Sequence, residues 1–229
     1  MPEKTNEITA IPMLLDQLAA PGQLEGALVT IDAMGCQVEI AAKIVEHKAD
    51  FLLPLKGNQP TLEAEVESYF ETAPADELVS KTTVEKGHGR IETRLYTASK
   101  VVDWLASERS YPGRPRFEGI QTILRAVNRT EHADRCTFDT RLYISCAPLD
   151  IERLAAGSRG HWGVESMHWV LDVEFNDDLS RYRAGHGAKN MAVIRRFSLG
   201  LIRADKSKGS VKTRRKSASW NTDFLLQLK

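Results

Sequence analysis

Apolar residues recur at helical spacing from Ile8 to Ala20, where Ile8, Ile11, Leu14, Leu15 and Leu18 share one stripe. Pro12 is tolerable there only in a first turn, and Pro21-Gly22 ends the run. Gly26 to Asp32 (GALVTID) then predicts a short buried strand that closes on a carboxylate. Cys36 to His47 follows as an amphipathic helix, Phe51 to Lys56 (FLLPLK) as a second apolar strand, and Gln59 to Phe70 as a third helix. Helix and strand in alternation are the pattern of an α/β layer, with parallel strands joined by crossover helices.

The texture changes at Ser80. From there to Cys146 the segments Lys81 to Glu85, Arg90 to Thr97, Thr122 to Asn128 and Asp139 to Ser145 alternate in polarity between Gly and Pro, a β-rich pattern. Arg109 to Arg116 (RSYPGRPR) reads as a polar loop. Helical periodicity returns over Asp150 to Phe175 and again over Asn190 to Asp205, with Ile194, Phe197, Leu201 and Ile202 directed at the core. Between these helices, Asn176 to Gly187 is too polar and Gly-rich for a core segment.

Composition narrows the class without naming a partner. Of 229 residues, 42% are apolar and 27% charged, which suits a soluble domain and excludes collagen-like or wholly disordered chains. Lys plus Arg and Asp plus Glu both number 31, so overall charge cancels. Arg203 to Lys216 is the local exception: seven cations stand against one acid, Asp205, as a solvated terminus or an arm that follows a phosphate chain. Cys36, Cys136 and Cys146 lack CxxC spacing and suit a reducing cytoplasm. No run approaches the ~20 apolar residues of a membrane span, and MPEKTNEITA is unlike a signal peptide.

Several places carry candidate chemistry. Asp32 closes a predicted strand at the end where open α/β sheets keep their sites, although a turn former or helix cap fits the same position. Lys56-Gly57-Asn58-Gln59 opens the third helix either as a phosphate cradle or as a tight strand-to-helix turn. On the helix of Arg159 to Phe175, His161, Glu165, His168 and Asp172 lie on one face, beside an apolar stripe of Val164, Met167, Leu171 and Phe175. That face admits a zinc-like site of His161, Glu165 and His168, a solvated polar surface, or a hard-cation site pairing Glu165 with a distant Asp. Arg90, Glu92 and Arg94 alternate on a predicted strand, and Arg181 and Arg183 repeat their spacing; both pairs of Arg could grip phosphates or face water.

Five strings occur in one order: KTNEITAIP (4–12), TIDAMGCQVEIA (30–41), LPLKGNQP (53–60), HGRIETR (88–94) and HWGVESMHWVLDVEFNDDLSRYR (161–183). Together they resemble the H-repeat-associated insertion-sequence transposases, bacterial enzymes of the DDE class with a ribonuclease-H-like catalytic core. The resemblance extends to about Arg203. It implies that Asp32 is the second catalytic Asp and Glu165 the catalytic Glu, both ligands of two Mg²⁺ or Mn²⁺ ions. It further implies transposon-end and target DNA as partners, a homo-oligomer, and no membrane association. Lys56, Asn58, Arg90, Arg94, Arg181 and Arg183 are the DNA-binding candidates.

The resemblance also implies an organisation. Residues 1–79 hold the first part of the catalytic core, 80–148 a β-rich insertion domain, 149–205 the returning core with its Glu helix, and 206–229 a basic tail. The family's first catalytic Asp lies in an A-I-D-G-K type string upstream of KTNEITAIP, and no such string occurs in these residues. The expectation is an incomplete ribonuclease-H-like α/β core lacking its first strands: a truncated, inactive copy with poor solubility. Two alternatives remain open. One is a non-catalytic DNA-binding remnant that interferes with an intact transposase; the other is a metal nuclease borrowing Glu7 or Asp172.

Overall fold

A computed structural model describes residues 7–87, 89–106, 117, 119–182 and 184–228. The polar loop expected at Arg109 to Arg116 lies outside them, as do His88 and Arg183, and so do the side chains of Glu7 and Glu165. The chain divides into two compact units, Met1–His161 and Trp162–Lys229.

The first unit begins with α1 (Glu7–Ala19), β1 (Leu28–Thr30), α2 (Val38–Glu46), β2 (Asp50–Leu55) and α3 (Pro60–Thr72). It continues through β3 (Val79–Gly87), β4 (Arg90–Ser99), the short α4 (Asp103–Ala106), β5 (Thr122–Glu131) and β6 (Cys136–Ser145). All six strands form one sheet in the order β1-β2-β6-β5-β4-β3. β1 and β2 run parallel across the α2 crossover, with Val29 opposite Phe51. Every other pairing is antiparallel, beginning with Leu53 opposite Ile144 between β2 and β6. Residues 80–148, expected as a β-rich insertion domain, therefore extend the sheet that β1 and β2 begin.

Both faces of that sheet are covered. Phe51, Leu53, Leu55, Ile123, Leu142 and Ile144 pack with Ile40 and Ile44 of α2 and with Leu62, Val66 and Phe70 of α3. From α1, Leu15 is buried and Ile8, Ile11 and Leu18 pack against this core, whereas Leu14 of the expected stripe is 53% exposed. The opposite face presents Leu52, Tyr96, Ala98, Leu124 and Tyr143 to Leu154 and Ala155 of α5 (Ile151–Phe175). Helices on both sides are what a strand such as β2, apolar at nearly every position, requires.

α5 is held to its sheet face by polar contacts around that core. The Ser158 hydroxyl donates to the Tyr143 hydroxyl at 3.2 Å. Arg153 pairs with Asp50 and donates to the Gly26 carbonyl, and Lys81 pairs with Glu152. Gly157 sits where an added Cβ would stand 2.6 Å from Leu28 Cδ2 and 3.3 Å from Leu52 Cδ2. A residue without a side chain lets the helix backbone approach the strands that closely.

The second unit contains the C-terminal half of α5, then α6 (Gly187–Ala204), α7 (Val211–Trp220) and α8 (Thr222–Gln227). Residues 206–229, expected as a basic tail, thus carry two helices. The Ser210 hydroxyl caps α7 by accepting from the Thr213 amide. Within this unit Leu171, Leu199 and Ile202 are buried. Ile194 and Phe197, expected toward the core, are instead 54% and 67% exposed, because positions 199 and 202 lie on a different side of the helix. Of the stripe expected on α5, only Leu171 is fully buried, and Val164 is 46% exposed.

Removing the Leu154 side chain, which is 0% exposed between α5 and the sheet, should cost about 2–5 kcal/mol in urea unfolding. Val84→Ala, at an exposed site on β3, should change stability by less than ~0.5 kcal/mol. A hydrogen bond from Arg94 holds the Glu85 carboxyl below its ordinary value of 4.5. Since the folded value is the lower one, this pair stabilises the fold above the ordinary carboxyl range and ceases to do so as pH falls through the lowered value. The stability gap between the wild type and Glu85→Gln should accordingly be present at neutral pH and close in acid strong enough to protonate Glu85.

Candidate active site

Parallel pairing brings the C-terminal ends of β1 and β2 to the same end of the sheet, and the two loops that leave those ends meet. After β1, Ala33–Gly35 forms one turn of 3-10 helix capped by Asp32, whose Oδ1 accepts from the Gly35 amide at 3.2 Å. After β2, Asn58 Nδ2 donates to the carbonyls of Ala33 and Cys36, and Gln59 Nε2 donates to Cys36 at 3.1 Å. The Asp32 turn is thus clamped by side chains from the neighbouring loop. Gly35 is required there, because an added Cβ would lie 2.2 Å from Ile31 Cγ2.

Asp32 is exposed, and among the described residues its Oδ2 accepts no hydrogen bond. One oxygen fixes the orientation of the carboxylate while the other is free. A carboxylate so placed is an oxygen donor suited to a hard divalent cation, and the cap does not consume it. Among the described residues no three His, Cys, Asp or Glu side chains gather into a metal site. Of the zinc-like grouping, His161 contacts Thr30 and His168 is exposed, while the Glu165 side chain lies outside the described residues.

His161 Nδ1 lies 3.3 Å from Thr30 Oγ1, two residues before Asp32. Together with Gly157 against Leu28, this contact gives α5 a register along β1 that the sequence motifs did not reveal. The available signal was the spacing Gly157, His161, Glu165, one position per helical turn. Glu165 lies in α5, with its side chain outside the described residues.

The remaining candidates separate by environment. Lys56 is exposed just beyond β2, and Arg181 is exposed beyond α5. Asn58 spends its amide protons on the Asp32 turn. Arg90 pairs with Glu92 at 2.6 Å while its side chain stays 46% exposed. Arg94 is 5% exposed and pairs with Glu92 and Glu85, so its charge is answered within the sheet. Asp172 has its carboxyl raised by loss of solvation and then by the Asp178 and Asp177 carboxylates. Burial pushes the Cys36 thiol up to about 12 and the Cys146 thiol up to about 11, which suits packing and not nucleophilic attack. No helix among the described residues is long and apolar enough to cross a membrane.

Comparison with known proteins converges on one family. Residues 1–201 match the model of the transposase DDE domain. The chain is 39% identical over 229 residues to "Putative transposase YncI" of Escherichia coli O157:H7, covering 97% of this chain and 56% of that protein. It is 34% identical over 231 residues to "H repeat-associated putative transposase YhhI" of Escherichia coli K12, covering 97% of this chain and 59% of the relative. The chain therefore spans somewhat more than half the length of these relatives. With the clamped Asp32 turn and the α5 helix both inside the matched residues, the chain belongs to the H-repeat-associated branch of the DDE transposase family.

Proposed function

We propose that this chain is the catalytic part of a DNA transposase, with Asp32 and Glu165 as carboxylate ligands of divalent cations, Mg²⁺ or Mn²⁺. The observation that carries this reading is the Asp32 turn, clamped by Asn58 and Gln59 with one carboxylate oxygen left open, within residues that match the transposase DDE domain. Glu165 is assigned as the second ligand from the resemblance of its HWGVE string to the family's motif.

Two carboxylates give oxygen donors of the kind hard cations prefer. Bound there, a cation pair would activate water or a strand's 3′-hydroxyl and stabilise the oxygens of an in-line phosphodiester displacement. The chain's own part is positional. The Gly35 amide and the Asn58 clamp orient the Asp32 carboxylate. Lys56, at the end of β2, and Arg181, beyond α5, are the exposed cations we assign to the DNA backbone.

We infer that Asp32 and Glu165 are two of the carboxylates that the chemistry of this family uses.

Two measurements check the reading. Mn²⁺ should broaden amide resonances near Asp32 and near Glu165 together, and Asp32→Asn should remove most of the broadening at both places. Broadening confined to one of the two segments would sink the shared site. In a nicking assay with a transposon-end duplex and Mg²⁺ or Mn²⁺, Asp32→Asn should abolish cleavage; cleavage that persists in this variant would overturn the role of Asp32.

A further inference from the structure

We propose that α7 is a binding site for single-stranded DNA, with Lys212 and Lys216 on the phosphates and Trp220 stacked on an unpaired base. The proposal rests on the DNA-acting function above but concerns a surface outside the Asp32 and Glu165 region.

α7 is two-sided. Val211, Arg214, Arg215 and Ala218 are half-buried. Arg214 donates to the Ile202 carbonyl at 2.8 Å, and the Arg215 guanidinium lies 5.4 Å from the centre of the Phe175 ring. These contacts fix which side of the helix faces out. The outward side carries Lys212, Lys216 and Trp220 at intervals of four, hence one above another. Trp220 is 80% exposed.

The charge on this segment is not answered locally. Asp205, its one acid, is engaged by Arg214 at 3.8 Å and by the Ser207 hydroxyl. Among the described residues, Arg203, Lys206, Lys208, Lys212 and Lys216 form no ion pair, and all five are exposed. A chain of zero net charge thus concentrates an unneutralised positive field on one short helix and the loop before it.

Cations alone would serve any polyanion. The indole narrows the choice, because a ring standing free beyond two lysines can stack on the face of an unpaired base, whereas bases inside a duplex keep their faces covered. Stacking of this kind tolerates any sequence, and the lysines follow the backbone with strong salt dependence. Helix dipole effects play no part, since the cations and ring lie along the helix side.

The test titrates the full 229-residue chain against a labelled oligothymidine and a blunt duplex of equal length, read by fluorescence anisotropy at several salt concentrations. Trp220→Ala should weaken single-strand binding by roughly tenfold or more and leave duplex binding unchanged, with Trp220→Tyr restoring most of the loss. Lys212→Gln with Lys216→Gln should lower the salt slope for the single strand by about 1.4. Circular dichroism melts of the variants should match the wild type, because all three side chains are exposed. Unchanged single-strand affinity in Trp220→Ala, or an equal loss on both DNA forms, overturns the assignment of α7 alone. Failure of the wild type to bind either form overturns the DNA-acting function with it.

Discussion

The close approach of α5 to the first two strands is the contact on which the rest depends. Gly157 removes the side chain that would hold the helix away from Leu28 and Leu52. Leu154 and Ala155 then fill the layer between helix and sheet. Polar groups placed around that layer, Arg153 to Asp50 and Ser158 to Tyr143, fix both the rotation and the axial position of the helix. Once the helix is so registered, His161 meets the end of β1 with no separate device to put it there. A larger residue at position 157 would require the Leu28 side chain to give way.

The other constraint is the mixed sheet. A parallel pair of strands offers two edges, and β6 covers the β2 edge with antiparallel pairing. β5, β4 and β3 continue outward by antiparallel pairing. The long excursion between Ser80 and Ser145 thereby returns to the core, and its last strand lies directly against the strand before the Asn58 loop. Charges on the outer strands are mostly spent within the sheet. Arg94 is answered by Glu92 and Glu85 in a setting where its unpaired charge would be costly. Arginines on a β-strand with alternating polarity therefore read as phosphate contacts when the partners of neighbouring strands are unknown.

The parallel start, the helix after each of the first two strands, the β-rich middle and the long Glu-bearing helix were legible because each has a strong local period. Asp32 was legible as a strand-ending acid, and the family resemblance gave it a partner. Asn58 was legible only as part of a turn motif. Its role as a clamp on the Ala33 and Cys36 carbonyls depends on two loops that are far apart in sequence and adjacent only after β1 and β2 pair. Ile202 of the stripe expected on α6 is buried, but Ile194 and Phe197 were misjudged for a related reason. Both sides of that helix carry apolar residues, and periodicity cannot say which side a neighbour will cover; Leu199 and Ile202 are buried while Ile194 and Phe197 are not.

Local sequence determined the elements, the ends of most of them, and the family, since backbone propensity, hydrophobic period and motif order all act over short stretches. Tertiary structure decided what the sequence left degenerate: that the β-rich segment joins the first sheet, that Arg94 is answered by carboxylates, that α7 turns Arg214 inward and Trp220 out, and that His161 reaches Thr30. Each of these is a pairing across many residues of chain. Such pairings are selected by the packing of whole faces against one another, a quantity that no single window of sequence contains.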